Sequence, residues 1–214
     1  MIWAAPAHAQ HPQAIVDQAE ADFAAGRIAE SVAGFDRLAV LDPPSAAWMW
    51  QRGIGLYYLG RYAECADQFA AYHGANRDDV ESTVWHFACV ARGESVERAR
   101  ASMFTPGPDR RVMRREILEM FRGRLAPADV VAYANVVAEV AQFYAHFYAG
   151  LFHEVTGDAS AAARHLEIAA SDRYRDVGGF MNVVARQHWA RIRSQGVAGE
   201  MAPATHALTS WRIE

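Results

Sequence analysis

Histidines offer the first prospect of chemistry. His146 and His153 lie seven residues apart, two helical turns and therefore one face, with Glu154 beside them and His165 on the neighbouring helical segment. Zinc requires three or four convergent donors, and the chain contains neither an HExxH run nor a Cys/His cluster. The spacing predicts imidazoles hydrogen-bonded between helices, with no metal. Cys89 with His86 or His73 has the residue types of a thiol nucleophile and its base, without a sequence context that fixes their geometry. Cys65 and Cys89 fall on adjacent predicted helices and could meet as a disulfide in an oxidising compartment. Cys65 shares its repeat position with Ala99 and Ala162, however, which favours buried, inert thiols at a tight helix contact.

Arginines are the other concentrated feature. All 21 basic residues are Arg, and six of them lie between Arg110 and Arg124, a cluster of the kind that binds RNA or another anion. Glu116 and Glu119 interrupt it, helical spacing sets Arg115 against Glu119, and no base-stacking motif accompanies the charge. With a formal net charge of -4, an ion-paired face is expected and nucleic-acid binding is not. The chain has no phosphate loop and no nucleophile elbow, so no cofactor and no enzymatic activity are expected. Hydrophobic residues make up 52% and charged ones 21%, which excludes a disordered chain, and no apolar run is long enough to span a bilayer.

The elements that must carry these residues repeat. Trp48–Asn76 reads as two antiparallel helices joined at Gly60, with Trp50, Gly53, Ile54 and Tyr57 on the first and Tyr62, Cys65, Ala66 and Phe69 on the second. A shift of 34 residues carries Gly60 to Gly26, Phe69 to Phe35, Tyr57 to Phe23 and Gly53 to Ala19. The first repeat is bounded by Pro12 and by Asp42-Pro43-Pro44, and the second opens with Ser45 as N-cap. A third starts near Asp79 and stops at Thr105-Pro106-Gly107-Pro108. Residues Arg111–Arg122 form a short amphipathic helix, and the pattern from Ala126 to Thr156 is expected to break or bend near Asn135, with one continuous helix as the alternative. Gly150, Gly157, Ala162 and Leu166 then reproduce the spacing of Gly53, Gly60, Cys65 and Phe69, a fourth repeat, and a helix over Phe180–Arg193 caps it.

Helical hairpins with this period and this order of small residue, aromatic and turn glycine resemble the tetratricopeptide repeat. Over Ser45–Ala190 the chain further resembles a less common group of tetratricopeptide-like proteins from bacteria and plant plastids. That likeness rests on Trp50-x-Arg52-Gly53 with Leu56-Tyr57-Tyr58, on Asp79-Val80-Glu81 with Trp85-His86-Phe87 and Cys89, on Met113-Arg114-Arg115-Glu116 with Phe121, and on Tyr148-x-Gly150-Leu151. It implies an all-α superhelix of about four hairpins and brings no established activity. The chain departs from the group at Arg77, where proline is usual, and in a shortened segment before Tyr144.

In such an array the first helices line a concave groove, formed here by Phe23, Trp50, Ile54, Tyr57, Tyr58, Val84, Arg92 and Phe147. Aromatics at that spacing suit capture of a peptide or protein segment of unknown identity, and equally a solenoid that fills its own concavity. The expected function is a non-catalytic binding scaffold. The alternative is a small-ligand receptor or enzyme whose closed concavity gathers Arg52, Trp85, His86, Glu116 and His153. Residues 1–11 resemble the end of an export leader, with Ala7-His8-Ala9 before Gln10 fitting small-x-small cleavage; a cytoplasmic location is the alternative. Residues 12–193 are assigned to the repeat domain and 194–214 to a flexible tail.

Overall fold

A computed structural model describes residues 11–200, with side chains through residue 194; the leader-like stretch and most of the predicted tail lie outside this range. The described residues form helices and connecting turns, without a strand. The first hairpin is α1 (Pro12–Ala24) and α2 (Ile28–Leu41), the second α3 (Trp50–Tyr58) and α4 (Tyr62–Ala75), and the third α5 (Val80–Gly93) and α6 (Val96–Ala101). Then come α7 (Arg114–Phe121) and α8 (Pro127–Ala134), a last hairpin of α9 (Glu139–Thr156) and α10 (Ala159–Ala169), and α11 (Phe180–Glu200). Consecutive helices pack on one another, giving an all-α repeat solenoid. No helix among the described residues is long and apolar enough to cross a membrane.

Glycine makes three of the hairpin corners. Gly26, Gly60 and Gly157 have φ of 78°, 73° and 93°, the left-handed region that a side chain disfavours. Within the hairpins a second glycine permits close approach. A Cβ on Gly53 would lie 2.6 Å from the Phe69 ring, and one on Gly150 2.6 Å from Leu166 Cγ. These pairs are the ones matched by repeat spacing, so the register read from the sequence is the register of contact. Prolines act as expected too: Pro12 opens α1, and α2 ends before Asp42-Pro43-Pro44.

Several local expectations are corrected. Ser45 does not cap α3; it sits in a 3-10 turn over Pro43–Trp48, its hydroxyl donating to the Asp42 carbonyl. α6 ends at Ala101, before the Thr105–Pro108 run, because that strap turns back toward α5, where Gly107 N–H donates to the Arg77 carbonyl and Asp109 accepts from Val80 N–H. Cys65 and Cys89 are joined as a disulfide rather than kept as free thiols, their Cα atoms 5.8 Å apart. The small-residue contact inferred from the repeat position is real. On α4 and α5 it brings two sulfurs together.

The C-terminal helix departs most from the plan. It runs past Arg193 to Glu200, and it does more than cover α10. Phe180 packs on Phe23 of α1 and Trp50 of α3, with ring centroids 5.5 and 5.6 Å apart. Gln187 donates to the Ala24 carbonyl at 2.7 Å. α11 thus crosses the concave side from the last hairpin back to the first, burying Met181, Val184 and Ala185. Each such apolar side chain removed from water contributes on the order of 1.5–3 kcal/mol if large, less for alanine.

Candidate binding face and cavity

The aromatic face of α3 is where groove and cavity meet. Residues Trp50, Ile54, Tyr57 and Tyr58 recur at three- and four-residue spacing and point inward together. Ile54 and Tyr57 are fully buried, Trp50 and Tyr58 half-buried. The Tyr58 hydroxyl donates to the Val184 carbonyl of α11 at 3.2 Å. Phe23, Val84 and Phe147 are buried beneath, while Arg92 stands exposed at the rim, donating to the Tyr62 hydroxyl. The face read from the sequence as the lining of a groove is therefore covered and not open. Its occupant is the chain's own α11, because an apolar aromatic stripe of this size excludes water best when an amphipathic helix lies on it.

One carboxylate fastens that helix. Glu154 of α9 accepts from the Tyr57 hydroxyl on Oε2 at 3.0 Å, with His188 Nε2 2.7 Å from the same oxygen, and from Arg191 Nη1 on Oε1 at 3.1 Å. The Glu154 side chain is 7% exposed and that of His188 fully buried. Burial alone would raise the Glu154 pKa, yet the facing His188 and Arg191 groups outweigh it and lower it to about 2. Tyr57 is pushed up, first by burial and then by the Glu154 charge. Sequence reasoning placed Glu154 beside a histidine pair on its own helix and missed this role, since its partners arrive from α3 and α11.

A second carboxylate organises the other end of the concavity. Glu81, in the first turn of α5, accepts from the Tyr148 hydroxyl on one oxygen and from Arg111 (2.9 Å) and Arg114 (2.8 Å) on the other. Arg114 is 3% exposed, and its guanidinium carbon lies 3.9 Å from the centre of the Tyr144 ring. Arg111 also reaches Asp109 and Asp79. Between this cluster and α11 remains a cavity of about 150 Å³, walled by Trp50, Phe69, Tyr72, Trp85 and Met181 and by Asp79, Glu81, Ser82 and Arg111. Phe69, Trp85, Asp79, Ser82 and Met181 are buried, whereas Trp50 and Tyr72 are half-buried and Arg111 is exposed.

The alternative constellation named from the sequence does not assemble. Of its members only Trp85 borders the cavity. Arg52 pairs with Asp36 at 2.7 Å and Gln68 at 3.1 Å between the first two hairpins. His86, one residue beyond Trp85, points about 100° away around the helix and packs on Phe104, centroids 4.3 Å apart. Burial, then the neighbouring His73, lowers its pKa to about 4. Glu116 is half-buried near Arg115, and His153 stacks on His165 at 5.6 Å.

One of the expected interhelical imidazole hydrogen bonds is present, between His146 and His165. His146 Nδ1 and His165 Nδ1 are 3.0 Å apart, and burial followed by His165 lowers the His146 pKa to about 4. Among the described residues no group of three or more His, Cys, Asp or Glu is arranged to hold a metal. Cys89, bonded to Cys65, is unavailable as a nucleophile. The arginine cluster is ion-paired as expected, with different partners: Glu119 takes Arg122 (2.8 Å) and Arg124 (3.0 Å), while Arg115 meets Glu116 at 3.9 Å.

No protein-family model matches the chain, and no curated protein does either.

Proposed function

We propose that this chain is a non-catalytic, tetratricopeptide-like binding module whose concave face holds an α-helical segment. The observation that carries the reading is α11 itself: an amphipathic helix seated on Phe23, Trp50, Tyr58 and Glu154, using ring contacts on one side and a buried ion pair on the other. A helix in an apolar groove is a recurring mode of peptide recognition, with affinity from aromatic anchors and direction from a few charges. In this state the face is occupied in cis, so an external protein or peptide competes with α11 for it. The Cys65–Cys89 bond and the Ala7-His8-Ala9 stretch both fit an exported protein in an oxidising compartment.

The test is to place a protease site at Gly178-Gly179, cut it, and ask whether the released helix rebinds in trans. Saturable rebinding of a peptide spanning residues 180–200, weakened at least ten-fold by Glu154→Gln, supports a helix-receiving groove. A cut protein that keeps its fold but gives no measurable rebinding sinks the reading.

A further inference from the structure

The cavity between α11 and the start of α5 is not explained by holding a helix. We propose that it binds a small uncharged carbonyl compound whose oxygen accepts from the indole N–H of Trp85.

A charged ligand is disfavoured because the ionic groups of the lining are already matched to one another. Glu81 is taken up by Tyr148, Arg111 and Arg114, and Asp79 accepts from Ser82 N–H at 3.0 Å and meets Arg111 at 3.3 Å. The Ser82 hydroxyl donates to the Asp79 carbonyl at 2.8 Å. A cation would find both carboxylates paired, and an anion would meet them at close range.

One donor is left over. Trp85 walls the cavity and is 2% exposed, and its Nε1–H has no acceptor among the described residues. The rings of Tyr57, Phe69 and Phe147 surround it, with centroids 5.5, 6.0 and 6.2 Å from its own, and a ring face is at best a weak acceptor. A buried indole N–H ordinarily has a partner, and leaving it without one is costly. The other buried side-chain polar atoms that lack a partner belong to residues away from this cavity.

Size and wall chemistry set the rest of the ligand. A space of about 150 Å³ takes one molecule of roughly benzene size, so the ligand has about six non-hydrogen atoms. Phe69, Trp85 and Met181 give it buried apolar walls, which suits a hydrocarbon body carrying a single acceptor. The half-buried rim of Trp50 and Tyr72 gives such a molecule its way in.

Nuclear magnetic resonance titration of the full, oxidised chain with cyclopentanone, and with methylenecyclopentane as a hydrocarbon of nearly the same shape, tests this. Saturable binding of the ketone should move the Trp85 indole proton downfield, and the hydrocarbon should not. Replacing Trp85 alone by benzothienylalanine, which keeps the ring shape and puts sulfur in place of N–H, should weaken the ketone about five-fold and leave the hydrocarbon unchanged. Binding of neither molecule, an indole proton that the ketone does not shift, or a ketone affinity that survives the sulfur replacement or falls only in step with the hydrocarbon's overturns the proposal. The site needs only α11 seated in cis, so helix capture in trans can fail while this binding stands, and the reverse.

Discussion

Glu154 and Glu81 are built alike and do different work. Each is a carboxylate on an inner helix that accepts from a buried tyrosine hydroxyl and faces two cationic or imidazole side chains. The difference lies in where the partners come from. Those of Glu154 belong to α3 and α11, so closing the cluster means laying the C-terminal helix across the concavity. The partners of Glu81 come from α7, the strap before it and α9, all on one side. Of α11 only Met181 is among the residues lining the cavity that remains beside Glu81. A buried charge cluster thus fastens an element only if that element supplies one of its members.

The largest effects should separate the two clusters. Glu154→Ala leaves Arg191 and the Tyr57 hydroxyl without their acceptor and should cost about 3–5 kcal/mol in chemical denaturation, with hydrogen exchange rising first in α11. Glu81→Ala should be comparably costly, yet spare α11 and loosen α5 and α7. Loss of α11 protection in both would erase the distinction. Reducing Cys65–Cys89 opens a loop of 24 residues that ties α4 to α5. It should cost about 3 kcal/mol by loop entropy, on the cavity side only.

Acid should act on the sealed cluster. Glu154 has a folded pKa of about 2, below its ordinary value, so its contribution is present above about pH 4.5 and is lost as pH falls toward 2. The loss is of order 3 kcal/mol at most. Measured as the difference between the parent and Glu154→Gln, it should vanish in the variant. His86 and His146 are depressed as well, so protonation in the unfolded chain should erode stability further between about pH 6.5 and 4.

The smallest effects sharpen the contrast most. Gly53→Ala and Gly150→Ala both place a Cβ 2.6 Å from a facing side chain. Phe69, opposite Gly53, borders the cavity and has room to yield, whereas Leu166, opposite Gly150, is buried with its backbone N only 3.3 Å from the new atom. Thermal unfolding should show a cost of about 1 kcal/mol for Gly53→Ala and about 3 for Gly150→Ala. Equal costs would mean that the hollow gives no relief.

Most of the scaffold was readable in the chain because its signals are local. Gly26, Gly60 and Gly157 mark corners wherever they occur, and prolines at 12, 43, 44 and 127 bound helices by their own covalent geometry. The interruption between α8 and α9 falls where a break near Asn135 was set against one continuous helix. The occupant of the groove was not. Met181, Val184 and Ala185 announce an amphipathic helix, but periodicity does not say which of two apolar surfaces it will cover. Arg114 was read as one of a charged run; only the fold brings it to Glu81, 33 positions earlier, and to the Tyr144 ring. Trp85, read for another pocket, borders this one, while Tyr72 and Asp79 were not named as site residues.

The path of α11 from the last hairpin back to Ala24 has a mechanical consequence. An open row of hairpins can fray from either tip, one unit at a time, since every unit leans only on its neighbours. A row whose two tips are buckled together by Gln187 and Phe180 behaves as a hoop. It has no loose end from which to unravel, and it should melt in one step, with both tips letting go together.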